Sequence, residues 1–214
     1  MLFFINFKAY AESTSANALK IVRGIERESI PTERIVIVLN PLDSLMETKI
    51  TKFIQSAEPL DPGPFTGHVP IGILKEYGYS GVMLNHSEHR IEREKIGMSV
   101  AMATRMGLKT IVCAADLKEI EGIRDFNPDF IAYEPPELIG GDVSVSTAKP
   151  QIIEAAVELL KGTSSKLVVG AGIKSRDDVR ISRTLGAQGV LVASGVVKSP
   201  NPIRVIAEMM EEVV

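Results

Sequence analysis

The sequence predicts a (β/α)8 barrel, on two observations. Eight short runs of aliphatic and β-branched residues recur at a mean step of roughly 27 residues. Between most of them lie segments with the apolar spacing of an amphipathic helix. Strict alternation of strand and helix makes a parallel sheet, and eight repeats close it into a barrel. An open doubly wound sheet is the rival arrangement. The chain has 214 residues. Barrels of this kind average about 250, so some helices must be trimmed. No linker, low-complexity tract or break in composition interrupts the chain, and residues 1–214 read as one domain.

The strand runs are Leu2–Asn6, Arg34–Leu39, Thr51–Ser56, Gly81–Asn85, Lys109–Ala114, Phe130–Tyr133, Lys166–Gly170 and Gly189–Val192. Most are continuously apolar, as suits strands buried on both faces; Thr51–Ser56 is the least regular. Ala16, Leu19, Ile21, Val22 and Ile25 form one helical stripe. Ile152, Ile153, Ala156, Val157 and Leu160 form another, with Pro150 suited to its first turn. Arg90–Met106 reads as a helix rich in small residues. Ile203, Val205, Ile206 and Met209 mark a last helix running to the terminus. Glu58–Pro70, rich in proline and glycine, has no periodicity, and connections of that length are usually functional or disordered.

Composition narrows the function. Hydrophobic residues make up 45% and charged residues 24%, ordinary for a soluble globular chain. A net charge of −3 gives no basic stripe for nucleic acid. The single cysteine, Cys113, excludes an internal disulfide and a cysteine zinc cluster, and fits a reducing cytoplasm. No apolar run approaches the roughly 18 residues of a membrane span. Met1–Asn6 lacks the basic start of a signal peptide.

In such a barrel, chemistry sits in the loops after the strands. Run one ends in Asn6-Phe7-Lys8, run four in Asn85-His86-Ser87-Glu88 and run six in Tyr133-Glu134-Pro135-Pro136-Glu137. Runs seven and eight end in Gly170-Ala171-Gly172-Ile173 and Ala193-Ser194-Gly195. Gly172 and Gly195 leave room for backbone N–H groups to approach an anion, and a helix start just beyond adds positive dipole. One such turn reads as a tight turn; two, after the last two strands, read as a phosphate site. Asn85 and Glu88 form a helix-capping signature that places His86 in a first turn. The dipole there disfavours protonation, and a neutral imidazole can donate to a carbonyl oxygen. Glu134 follows a buried run and precedes two prolines, where a partly desolvated carboxylate can act as a base. Each residue also has a plainer reading: a turn histidine, a surface glutamate, a solvated lysine. Their convergence at one mouth is what favours chemistry. Cys113 reads as a small buried residue, Asp116 as a helix cap, Arg90–Lys95 as a solvated face, and Met98, Met102 and Met106 as core. His68 and His89 have no partner at metal-ligand spacing, so no metal is expected.

With these motifs in place, the chain resembles the triosephosphate isomerases of the short archaeal branch. The matching segments are Asn6–Lys8, Thr66-Gly67-His68, Asn85–Glu88, Tyr133–Gly140, Gly170–Ile173 and Val190–Gly195, in order along nearly the whole chain. The resemblance implies interconversion of dihydroxyacetone phosphate and D-glyceraldehyde 3-phosphate, in glycolysis and gluconeogenesis, with no cofactor. It implies that Glu134 is the base, His86 the electrophile, and Lys8 the cation that offsets negative charge. Asn6 would position substrate, Phe7 would contribute mainly backbone, and Ile139, Gly172, Ala193 and Ser194 would line the phosphate. Pro135–Gly141 would be a closing lid. Glu58–Pro70 would reach into a neighbouring subunit, implying a homodimer at least and allowing a tetramer. Two positions depart from the pattern: Gly141 stands where threonine is common, and Ser56 where archaeal relatives often carry histidine. The competing functions are another isomerase on a phosphate-binding barrel, which has no need of His86 and Glu134 in these contexts, and a catalytically silent barrel that binds a phosphorylated metabolite.

Overall fold

The computed structural model describes residues 1–28, 30–141 and 144–213. Eight strands close into a parallel barrel in chain order, β1 to β8, with β8 returning to pair with β1. They are β1 Leu2–Asn6, β2 Ile35–Leu39, β3 Thr51–Ile54, β4 Gly81–Leu84, β5 Lys109–Ala114, β6 Phe130–Tyr133, β7 Lys166–Val169 and β8 Gly189–Val192. Each lies within two residues of the sequence expectation, Thr51–Ser56 included. The differences fall at strand ends, where Arg34 belongs to a 3-10 turn and Asn85 turns the chain at φ 60°.

Period-two alternation sorts the strand side chains into two cores. Phe4, Val38, Phe53, Met83, Ile111, Phe130, Val168 and Leu191 fill the barrel interior with others of their register. Phe4 is the centrepiece, edge-on to Phe53 at 5.9 Å and to Phe130 at 5.2 Å between ring centroids. Gly81 makes the space for this: a Cβ there would stand 2.4 Å from the Phe53 ring. The intervening residues, such as Phe3, Ile5, Ile35 and Ile37, face the helical layer.

The helices are α1 Ser15–Arg27, α2 Arg93–Arg105, α3 Leu117–Arg124, α4 Val145–Ala148, α5 Pro150–Leu159, α6 Arg176–Thr184, α7 Ser194–Val197 and α8 Pro202–Met210. α1 buries Ala18, Ile21, Val22 and Ile25, a stripe at i, i+3, i+4 and i+7 that leaves Leu19 on the exposed flank. α2 begins at Arg93 rather than Arg90 and buries Met102, but Met98 faces outward, so the three methionines are not one core column. The last helix stops at Met210 instead of reaching the terminus.

Helices are trimmed after β2 and after β3, where only the 3-10 turns Pro41–Asp43 and Ile71–Ile73 remain. Lys52, on the helix-facing side of β3, fills part of the gap. Its Nζ donates to the carbonyls of Ser44 (2.9 Å) and Met46 (3.1 Å) and lies 4.8 Å from the Tyr79 ring centre. Burial pushes the Lys52 ammonium below its ordinary pKa and the Tyr79 hydroxyl up to about 12.

Candidate active site

The loops after β1, β4, β6, β7 and β8 converge on one cavity. Asn6, Lys8, His86, Glu134, Gly172, Ala193 and Ser194 line it, joined by Ile139 and Gly140 from the segment after β6. Phe7 does not: its side chain is fully buried in the outer core, and its N–H donates to the Val38 carbonyl at 3.0 Å. Five non-glycine residues among those described have positive φ, and three of them, Lys8, Asn85 and Ala171, turn the chain at this mouth. Left-handed backbone costs such residues on the order of 1–2 kcal/mol, so local bonds must hold it.

At Lys8 those bonds are visible. Its N–H donates to Asn6 Oδ1 at 3.0 Å, and its carbonyl accepts from Gln55 Nε2 at 3.0 Å. The ammonium meets Glu88 Oε1 at 2.6 Å, with the lysine side chain 10% exposed. The solvated-loop reading of Lys8 is therefore wrong: the side chain lies packed along the cavity wall.

His86 is buried, and its Nδ1 accepts from the Glu88 N–H at 3.1 Å. That bond leaves the ring proton on Nε2 and assigns a neutral donor tautomer. The helix-start expectation fails here. Residues 86–89 form an isolated turn, α2 begins only at Arg93 behind Glu92, and Glu88 pairs with Lys8 instead of capping. A single hydrogen bond, not a helix dipole, fixes the tautomer of the imidazole.

Nε2 of His86 lies 3.8 Å from Oε2 of Glu134, too far for a hydrogen bond. Glu134 is 6% exposed, and Oε2 is buried with no hydrogen-bond partner. Leaving a buried acceptor unpaired costs about 1–3 kcal/mol, which marks the carboxylate as held ready for an incoming group. Beneath it, the side chain rests on Gly170. The Cys113 thiol lies beside it, its pKa pushed well up by burial first and by the negative charge of Glu134 second. Cys113 is a buried free thiol and Asp116 caps α3, both as expected.

At the far wall Gly172 has φ 70° and α7 starts at Ser194, directly after β8. The turn after β7 is longer than expected, with α6 starting at Arg176 behind a Ser175 capping box. Among the described residues no group of three His, Cys, Asp or Glu stands where it could hold a metal, and no helix is long and apolar enough to cross a membrane.

A family model described as triosephosphate isomerase matches residues 1–211. The chain belongs to the triosephosphate isomerase family. It is 41% identical to the triosephosphate isomerase of Thermoplasma volcanium over 208 residues, covering 97% of this chain and 98% of the relative. Identity is 38% to the Caldivirga maquilingensis protein of that name, with 98% and 96% covered. It is 36% to the one from Methanocaldococcus jannaschii, with 99% of both covered.

Within this triosephosphate isomerase fold, sequence reasoning gave Gln55 no role, read Glu88 only as a cap and Gly170 only as part of a turn. Gln55 Nε2 reaches Asn6 Oδ1, the Lys8 carbonyl and the Val38 carbonyl, tying β1, β2 and β3 together at the mouth. Its position just past β3 was the available signal. Tyr10 and Lys174 also line the cavity, and nothing in their sequence context marked them.

Proposed function

We infer that the chain interconverts dihydroxyacetone phosphate and D-glyceraldehyde 3-phosphate, an isomerisation by proton transfer. The observation that carries this is the buried, unpartnered Oε2 of Glu134 facing the Nε2 donor of His86 across 3.8 Å. Glu134 takes the proton from the carbon beside the carbonyl. The C–H electron pair becomes the C=C bond of an enediolate. Negative charge collects on the former carbonyl oxygen, where the Nε2–H of His86 and the ammonium of Lys8 stabilise it. Glu134 then returns the proton to the neighbouring carbon, while the hydroxyl proton passes from the first carbon's oxygen to the former carbonyl oxygen, so that the new C=O forms where the hydroxyl stood. The substrate gains and loses no electrons overall, so the reaction calls for no redox partner.

Asn6 orients Lys8 and the substrate, while Ile139, Gly172, Ala193 and Ser194 enclose the phosphate. The catalytically silent barrel is less favoured, because it gives no reason to keep a carboxylate oxygen buried and unpaired. Glu58–Pro70 is pinned at its base by a bridge between its end residues, and Glu58 accepts from the Val69 N–H. Its tip, Thr66-Gly67, is exposed. A second cavity, walled by Gln55, Ser56, Glu88 and His89, opens beside Lys8. We assign that cavity to the loop tip of a second copy, giving a homodimer. The cytoplasm, where a lone thiol stays reduced, is the compartment proposed.

The test is turnover of glyceraldehyde 3-phosphate by protein made in a host lacking its own isomerase. Activity should persist in a chelator, and sulfate should inhibit competitively. Gly172→Val should raise KM strongly, since valine cannot take φ 70° without strain. No turnover, or turnover indifferent to sulfate, contradicts the reading.

A further inference from the structure

One polar cluster beside the cavity touches no substrate position, yet most of its bonds end on the residue before His86. Asn85 is 2% exposed and has φ 60°. Its Nδ2 donates to the Cys113 carbonyl and to Glu119 Oε1, both at 3.0 Å, and its Oδ1 accepts from the Ile91 N–H at 3.2 Å. Its own carbonyl accepts from Arg90 Nη1 at 3.4 Å. Glu119, 34 residues further along the chain, joins these bonds. Besides Asn85, it accepts from Arg90 Nη2 and, through Oε2 at 2.7 Å, from the Ala115 N–H.

We propose that Glu119 is a positioning residue for catalysis: with Arg90 it holds Asn85 in its left-handed conformation and so aims the Nε2–H of His86. The proposal rests on the role given to His86 above. Its physical basis is simple. Asparagine enters the left-handed region more readily than other non-glycine residues, and the bonds on its side chain and carbonyl select that state over negative φ. A change of that dihedral swings the next residue bodily, and His86 is next. Of the four bonds on Asn85, one ends on the Glu119 carboxylate on the first turn of α3, and another comes from Arg90, which the same carboxylate holds. Glu119 is placed for it by Asp116, whose side chain accepts the Glu119 N–H at 2.8 Å. Glu119 is thus sequence-local to a helix cap and chemically tied to a catalytic loop on another strand.

The experiment is Glu119→Ala, alone and combined with His86→Gln. A displacement near 1 Å at a reacting group costs on the order of 10²-fold, so kcat should fall by about 10- to 100-fold. KM and the inhibition constant for inorganic phosphate should move less than about two-fold, because the phosphate wall is untouched. In the His86→Gln background the same change should cost nothing further, since the group it aims is gone. Ring 15N shifts of His86 should show loss of its single bonded tautomer. Arg90→Met removes the hold from the other side; if Glu119→Ala does not fold, Arg90→Met crossed with His86→Gln carries the same test. An equal fall in kcat with and without His86 overturns the proposal, as does a rise in KM at constant kcat. If His86→Gln alone keeps normal kcat, the site reading fails first. If it is impaired while Glu119→Ala is not, only the positioning role fails.

Discussion

At Gly170 the chain passes directly beneath the Glu134 side chain. A Cβ there would stand 2.5 Å from Cγ and 2.7 Å from Oε1. Gly170→Ala therefore displaces the base without changing its chemistry, and kcat should fall by about 10²-fold in a protein that still folds. Steady-state kinetics beside a thermal melt checks this. Cys113 is the second residue with a sharp expectation. Burial and Glu134 raise its folded pKa, so the folded protein keeps a proton that the unfolded chain releases in alkali. The associated stability is fully present below the ordinary thiol value and is lost as pH rises through the folded value. A disulfide reagent at about pH 8.5 should label Cys113 only after denaturation, and Cys113→Ala should flatten the alkaline fall in Tm. Lys8, His86 and Glu134 were legible because each ends a buried run in a fold whose strand ends converge. Gly170, Gln55 and Glu119 were not. Their roles lie in contacts with residues far off in sequence, which no local pattern encodes.

At the scale of elements, the expected helix start after β4 gave way to tertiary contacts. Asn85–Glu88 has the residues of a capping box but closes only one turn. Its polar groups are spent elsewhere: Asn85 on Glu119 and Cys113, Glu88 on Lys8. Tertiary partners outbid a local motif. The segment Pro135–Gly141 carries a short 3-10 turn, Pro136–Leu138, with Gly140 at φ 71° near its exit. Glu137 in that turn pairs with Lys149 at the start of α5, tethering the segment's first half outside the cavity. The pair lowers the Glu137 pKa and raises that of Lys149. Ile139 and Gly140 line the cavity beyond this tether. Gly141 tolerates the threonine common in relatives only tightly, since a Cβ would meet the Leu138 carbonyl at 3.3 Å. If the segment closes as a lid, it should keep water from the enediolate, which otherwise expels its phosphate. Deleting Ile139–Gly141 should raise the ratio of methylglyoxal to isomerised product. An unchanged ratio would remove the lid role.

For the whole molecule, barrel closure followed from eight buried runs, since a closed parallel sheet covers both faces and leaves no edge. Which helices would be trimmed did not follow. The gaps after β2 and β3 are filled by Lys52 and irregular loops, whose packing has no periodic signature. These shortened connections leave Leu42 93% and Leu45 81% exposed. Phe65 is partly exposed in Glu58–Pro70, the loop assigned above to the contact between copies. Phe65→Asp should yield monomers by sedimentation, with reduced kcat, because the cavity beside Lys8 then loses its occupant. Monomers of undiminished activity would dissociate assembly from catalysis.

The central claim is that Glu134 carries the proton between neighbouring carbons. Proton NMR of the reaction in D2O reads this most directly, comparing the native protein with Glu134→Gln. The native protein should isomerise glyceraldehyde 3-phosphate and place deuterium on the product carbon that receives the proton, since the acid form of Glu134 exchanges with solvent. Glu134→Gln should lose isomerisation and exchange together, by at least about 10²- to 10⁴-fold. Exchange at the native rate in Glu134→Gln would contradict the account.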